Sequence, residues 1–217
     1  MNKYFKMATT LCLVVMALTT ATAQPDYESA MGSALQSLAE ARTTADFIAA
    51  ANQFDQIGEA APDQWLPPYY AAYCQLVGGL HESSVADKDG LFDQALAQIE
   101  RAAARTGDNS EVYALNAYIQ FMRMTVDPQT RLYLMADAGA MLEKASQLDP
   151  SNPRPDFING QNVFYTPVEY GGGASAAKPL LLQAKKKFAA FKPDGTFAPN
   201  WGADRCDALL AEIGDAK

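Results

Sequence analysis

The sequence predicts an all-α protein of about nine helices, packed as a stack of antiparallel helical pairs. Three observations predict this fold class. Apolar residues recur at helical spacing in most windows, without the alternation that is typical of strands. Capping signals open several of these windows, and turns rich in proline and glycine close them. A short pattern of small and large apolar residues also returns at intervals of 45, 43 and 39 residues.

The helix boundaries follow from capping residues and chain breakers. Thr43 and Asp46 match a capping box that begins a helix ending near Ile57. Asp108 or Asn109 can cap a later helix, and Asp127-Pro128 places a capping side chain before a proline in the first turn. The predicted helices are 27–41, 45–59, 66–79, 90–106, 109–125, 128–148, 154–164, 174–191 and 201–213.

The returning pattern is a small residue, a large apolar residue four positions later, and a small or apolar residue three positions after that. A small residue lets two helix axes approach, and the large residue one turn on fills the adjoining groove. Ten residues after the breaker that closes each of the first three copies stands Ala72, Ala117 or Gly160. The four copies are Ala50, Phe54 and Ile57; Ala95, Ile99 and Ala102; Ala138, Leu142 and Ala145; and Ala177, Leu181 and Ala184.

These residues resemble the tetratricopeptide repeat family over roughly residues 27–213, most clearly between Ala138 and Gly160. The resemblance implies helix–turn–helix units in a right-handed curved stack, an α-solenoid whose concave face binds a peptide. The repeat spacing exceeds the usual length of about 34 residues. Pro68 and Asp156 also replace an expected aromatic residue. We therefore interpret the repeats as divergent, with an irregular alanine-rich helical domain as the alternative.

The first residues have the order of an export signal. Lys3 and Lys6 precede an apolar run, and Ala21-Thr22-Ala23 offers small residues for cleavage before Gln24. We expect residues 1–23 to be a signal peptide and residues 24–217 to form one helical-repeat domain in the periplasm or outside the cell. Stable membrane insertion is then not expected, although an uncleaved N-terminal anchor is the alternative.

Charge and cysteine content narrow the classes of partner and cofactor. The net charge is −8, and losing Lys3 and Lys6 would change it to −10. Such a surface repels phosphate backbones, which argues against a nucleic acid partner. Cys74 and Cys206 are interpreted as buried free thiols, with a disulfide as the alternative. The sequence shows no cluster of cysteine and histidine, so we expect neither a metal site nor a cofactor.

The stretch YGGGASAAKP, from Tyr170 to Pro179, is the best candidate for a phosphate site. Counted from Gly172, however, Ala177 and Pro179 stand where a P-loop requires a glycine and a hydroxyl. We interpret the glycines as a corner before the next helix, because glycine adopts positive φ without strain. Anion binding at the N-terminus of that helix is the alternative.

Three other motifs give no support for an enzyme. Val85 to Leu96 contains part of a calcium loop but lacks its terminal acids, so we interpret it as a solvated loop. His81 is the only histidine and is interpreted as a loop residue, which argues against a histidine-based triad. Lys185–Lys187 is interpreted as a solvated last helical turn, with a patch for an acidic partner as the alternative.

A row of mostly aromatic side chains is expected on the inner face of the stack. Tyrosine suits a binding face because its ring gives contact area at low entropic cost. The predicted groove residues are Tyr69, Tyr73, Tyr118, Phe157, Gln161 and Tyr165. The alternative is that these rings belong to the core between pairs.

We therefore expect an exported, non-catalytic scaffold that binds a peptide or protein segment in this groove. The alternative is a helical carrier of a small molecule, or an enzyme with an unrecognised site in the same groove.

Overall fold

The structure is a computed structural model that describes residues 26–215. Over this range it is all-helical, and the helices pack as antiparallel pairs, as predicted. The helices are α1 (Tyr27–Glu40), α2 (Thr44–Ala60), α3 (Leu66–His81), α4 (Val85–Thr106), α5 (Ser110–Val126), α6 (Pro128–Arg131), α7 (Leu134–Leu148), α8 (Arg154–Tyr165), α9 (Ala174–Ala190) and α10 (Ala203–Asp215), with one 3-10 turn at Val168–Tyr170.

Several predicted boundaries are wrong. Helix α3 continues to His81, which was predicted as a loop residue beyond a helix ending at residue 79. The stretch predicted as a solvated loop forms the first turns of α4, because the Ser84 hydroxyl caps the helix by accepting from the amide of Asp87. The helix predicted over 128–148 is split, and Leu132 and Tyr133 lie exposed in the turn between its two parts. Helix α10 begins at Ala203 rather than at residue 201, because Gly202 has a φ of 106°.

The small-and-large pattern marks the core, as predicted. Ala95, Ile99 and Ala102 are fully buried in α4, and the corresponding residues of α9 are fully buried as well. Gly160 lies where α8 crosses α9, and a Cβ atom there would lie 2.8 Å from Cδ2 of Leu181. The crossing is therefore too close for any larger residue without displacement of Leu181.

The helices of the stack begin and end at two opposite ends, and hydrogen bonds join the helix termini at one of them. The Ser110 hydroxyl at the start of α5 donates to the carbonyl of Ala145 near the end of α7, at 2.8 Å. Ser110 also accepts from the amide of Asn152 in the turn before α8, at 2.9 Å. We call this end of the stack the cleft end, because a cleft opens beside Ser110. The opposite, turn end carries the connections at residues 82–84, 127–133 and 166–173.

The glycine run is a corner at the turn end, as predicted. Gly171 and Gly173 have φ values of 84° and 92°, a region that favours glycine. A Cβ atom at Gly172 would overlap the carbonyl oxygen of Thr166. Two exposed side chains, Val168 and Tyr170, project from this corner.

The two cysteines among residues 26–215, Cys74 and Cys206, are buried free thiols, as predicted. Burial raises the pKa of Cys74 well above its usual value and that of Cys206 to about 11. Within residues 26–215, no helix is both long and apolar enough to cross a membrane. The predicted signal peptide, residues 1–23, lies outside the described residues.

Candidate functional site

Residues 191–202, which we call the C-terminal segment, cross the face formed by α3, α5 and α8. The Tyr70 hydroxyl of α3 donates to the carbonyl of Phe197 at 2.8 Å. The Arg154 guanidinium of α8 donates to the carbonyl of Pro199 at 2.6 Å. Helices α3 and α8, which belong to two different pairs, thus bind the backbone of this segment directly.

Trp201 anchors the end of the C-terminal segment among aromatic rings. Its indole stacks on Tyr73 with ring centroids 4.8 Å apart, and it also lies near Tyr118 and Phe157 at 6.4 Å. Its N–H donates to the Tyr69 hydroxyl at 2.9 Å. The indole therefore fills the space between helices α3, α5 and α8.

Arg154 is a fully buried charge at the centre of this contact. Its guanidinium donates to the Glu111 carboxylate at 2.8 Å and lies 5.0 Å from the ring centroids of Phe191 and Trp201. The Tyr69 hydroxyl lies 3.1 Å from the same carboxylate. Burial raises the pKa of Glu111, although its two partners oppose that shift. A buried charge requires such partners, so this network joins α3, α5, α8 and the C-terminal segment.

The prediction of an open aromatic groove is wrong, because the C-terminal segment fills that face. Tyr69 and Phe157 are fully buried, and Tyr73 stacks beneath Trp201. Tyr118 and Gln161 are buried and bonded to each other at 2.6 Å. The remaining predicted residue lies apart from the other five. Tyr165 is exposed at the turn end and accepts a hydrogen bond from Arg205.

A cleft of about 1380 Å³ opens beside the C-terminal segment at the cleft end. Two other hollows on the described surface have volumes of about 380 and 350 Å³. Small-molecule sites are typically concave, apolar and about 300–1000 Å³, so this cleft has ample room for a small-molecule ligand. Its apolar lining residues include Trp65, Leu148, Leu182, Phe191 and Pro199.

The charged residues of the cleft differ in how they are paired. Asp108 lies 2.9 Å from Lys144 outside the cleft, and Glu111 is bound by Arg154. Asp149 accepts hydrogen bonds from Ser151 at 2.9 and 2.6 Å. Asp194 is the fourth acid and is exposed. Three of the four carboxylates are therefore already engaged by neighbouring donors.

The three lysines at 185–187, predicted to lie in a solvated turn, have different neighbours. Lys185 pairs with Asp207 of α10 at 2.7 Å, and Lys187 pairs with Asp156 of α8 at 2.5 Å. Lys186 lies between them, is exposed, and lines the cleft. Spacing alone shows that three successive lysines diverge around a helix. Which neighbours they meet depends on where α8 and α10 pack.

No known family profile matches the chain, and no curated protein matches it in sequence. Three solved chains match it in structure. One of them is the HusA haemophore from Porphyromonas gingivalis, which is 27% identical. The match covers 88% of this chain and 94% of that chain, with a TM-score of 0.75.

This likeness corrects the predicted function. We expected a scaffold that binds a peptide or protein segment in a concave groove, but the similar structure is a haemophore, a carrier of a small molecule. The occupied inner face agrees with this correction, because Trp201 and Arg154 fill the face on which a peptide was expected to bind. The findings favour the alternative, a helical small-molecule carrier.

Proposed function

We propose that this chain is an exported, non-catalytic carrier of haem or a closely related porphyrin. The observation that carries the proposal is the similarity to the HusA haemophore, with 27% identity and a TM-score of 0.75 over 88% of the chain. A haem carrier must cover a broad apolar macrocycle and accommodate the carboxylates on its edge. We assign these tasks to the cleft beside the C-terminal segment.

The apolar walls of the cleft support this assignment. Leu148 at the end of α7 and Leu182 on α9 both line it, and both are unusually exposed for large apolar residues, at 37% and 50%. Phe191 and Trp65 add aromatic surface. Covering these side chains with a flat macrocycle would remove apolar surface from water, which contributes about 25 cal/mol per Å².

The polar lining suggests how the ligand would be recognised. Haem iron is ordinarily held by histidine, cysteine, methionine or tyrosine. None of these is among the described residues that line the cleft. The single histidine, His81, ends α3 with its ring stacked on Phe47 at 5.3 Å. We therefore propose that the cleft recognises haem mainly through contacts with its macrocycle and its carboxylates.

We infer further that the chain is a divergent tetratricopeptide-like solenoid that reaches the periplasm or the medium. The support for the repeats is that Phe54, Ile99, Leu142 and Leu181, which are equivalent in the pattern, are all buried. The support for export is the amino-terminal order of basic, apolar and small residues. A carrier outside the cytoplasm would meet free haem there.

Titration of haemin into the mature protein tests the carrier proposal. We expect a saturable shift of the haemin absorption band together with quenching of tryptophan fluorescence, because Trp65 lines the cleft and Trp201 lies behind its wall. A linear, non-saturating response would contradict the proposal.

A matched pair of leucine variants tests the location. Leu182→Asn changes an exposed leucine in the cleft, whereas Leu132→Asn changes an exposed leucine at the turn end. Leu182 lies on α9 and lines the cleft, whereas Leu132 lies in the turn before α7, at the turn end. We expect Leu182→Asn to weaken haemin binding about tenfold, equivalent to about 1.4 kcal/mol, and Leu132→Asn to leave it unchanged. The reverse result would place the ligand at the turn end.

A further inference from the structure

The cleft contains two lysines whose charge is not neutralised by the protein. Lys186 lies in the last turns of α9, and Lys192 follows the end of that helix in the C-terminal segment. Both are exposed, and within residues 26–215 neither has a carboxylate partner at ion-pair distance. Their direct neighbours differ, since Lys185 and Lys187 are both paired.

The position of the two lysines relative to the apolar wall is specific. Leu182 lies four residues before Lys186, and residues at this spacing share one face of a helix. Phe191 and Lys192 are adjacent at the point where α9 gives way to the C-terminal segment. An apolar side chain thus accompanies each cation, an arrangement that matches an amphiphilic ligand with a flat apolar body and an acidic edge.

Because the chain is acidic overall, binding of an acidic ligand requires cations at the site itself. The chain carries a net charge of −8, so a dianion approaching it is repelled at long range. Of the cleft's four acids, Asp108 and Glu111 are paired with the cations Lys144 and Arg154. Asp149 accepts only from the neutral donors of Ser151, so it keeps its charge, as does the exposed Asp194. The ammonium groups of Lys186 and Lys192 balance these two carboxylates, and they are the lining cations that have no carboxylate partner among the described residues.

We propose that Lys186 and Lys192 are the carboxylate-binding pair of the cleft, and that its ligand class is a planar apolar dicarboxylate. This inference rests on the proposed carrier function and deepens it, because it assigns the acidic edge of the porphyrin to the end of α9. Lys187 takes no part, since Asp156 already holds its ammonium group.

The test compares haemin with its dimethyl ester, in which both carboxylates are masked. The test variant is the double substitution Lys186→Gln/Lys192→Gln. The matched control is Lys88→Gln/Lys178→Gln, which removes the same charge from two lysines outside the cleft lining. All four side chains are at least partly exposed, so we expect both variants to fold, and thermal unfolding followed by circular dichroism checks this.

We expect the test variant to bind haemin about five- to thirtyfold more weakly than wild type, which corresponds to about 1–2 kcal/mol for two partly exposed charge pairs. The control variant should retain wild-type affinity. The dimethyl ester should bind wild type and the test variant equally. Raising the salt concentration should weaken the binding of haemin to wild type but not that of the ester.

The outcomes separate this inference from the carrier proposal. If wild type does not bind haemin saturably, the carrier function fails. If wild type binds haemin but the test variant binds it equally well, or if wild type prefers the ester, the assignment of Lys186 and Lys192 is wrong while the carrier function stands.

Discussion

The indole N–H of Trp201 donates a hydrogen bond to the hydroxyl of Tyr69 at 2.9 Å, joining residues 132 positions apart. The same hydroxyl lies 3.1 Å from the carboxylate of Glu111, which also binds the guanidinium of Arg154. The C-terminal segment is therefore tied into a buried polar network. It completes the fold and forms one wall of the cleft.

Removing the indole should destabilise the protein. Trp201→Ala should lower the free energy of unfolding by about 3 kcal/mol, because it leaves a cavity beside Tyr73 and Phe157. Trp201→Phe keeps an aromatic ring but leaves the Tyr69 hydroxyl without its donor, and should cost about 1 kcal/mol. Guanidinium denaturation followed by circular dichroism measures both values. An unchanged midpoint for Trp201→Ala would show that the segment is not held as described.

Arg154 and Glu111 should behave as a coupled pair. Arg154→Met should cost about 3–5 kcal/mol, because it leaves the Glu111 carboxylate buried without its cation. Adding Glu111→Gln to this variant should recover part of that loss, since the neutral amide is less costly to bury. A double-mutant cycle measured by chemical denaturation gives the coupling. Additive effects of the two substitutions would contradict a direct pair.

The raised pKa of Glu111 predicts the direction of a pH effect. A carboxyl whose pKa rises on folding, above an ordinary value of 4.5, contributes stability below that value and loses it as pH rises through the folded pKa. Between pH 7 and pH 4, wild type should therefore lose less unfolding free energy than Glu111→Gln, in which this titration is absent. The comparison cancels the carboxyls that both proteins share. A greater loss in wild type would mean that folding lowers this pKa.

Any residue larger than glycine at the crossing of α8 and α9 should destabilise the protein. Gly160→Ala should cost about 1–3 kcal/mol, because its Cβ would lie 2.8 Å from Leu181. Gly139→Ala, in the middle of α7 with no heavy atom near its Cβ position, should instead stabilise by about 0.5–1 kcal/mol. Thermal unfolding distinguishes the two. A neutral Gly160→Ala would remove this residue from the repeat pattern.

Export should yield a chain that begins near Gln24. Asp26 caps α1 by accepting from the amide of Ser29 at 2.8 Å, so cleavage before Gln24 would leave that cap intact. Intact mass spectrometry of protein from the native host measures the terminus. Recovery of the full-length chain from membranes would contradict the predicted signal peptide.

The sequence alone determined the helices, their buried stripes and the glycine corner. These features depend on residues a few positions apart: the Thr43–Asp46 capping box, the Ala95–Ile99 spacing, and the positive φ of Gly171 and Gly173. Such rules involve residues that are close in sequence, so periodicity and capping signals report them.

Only the tertiary structure decided how the inner face and the cleft are used. The row of aromatic residues was predicted as an open groove, but Trp201 covers Tyr73. These two residues are far apart in sequence, and helical periodicity does not report contacts between distant residues. The three adjacent lysines were interpreted as a solvated turn or as a patch for an acidic partner. Packing of α8 and α10 instead pairs two of them and leaves Lys186 facing the cleft. Whether a side chain is buried or exposed depends on segments that are distant in sequence. The helices therefore followed from the chain itself, and the candidate ligand site from their assembly.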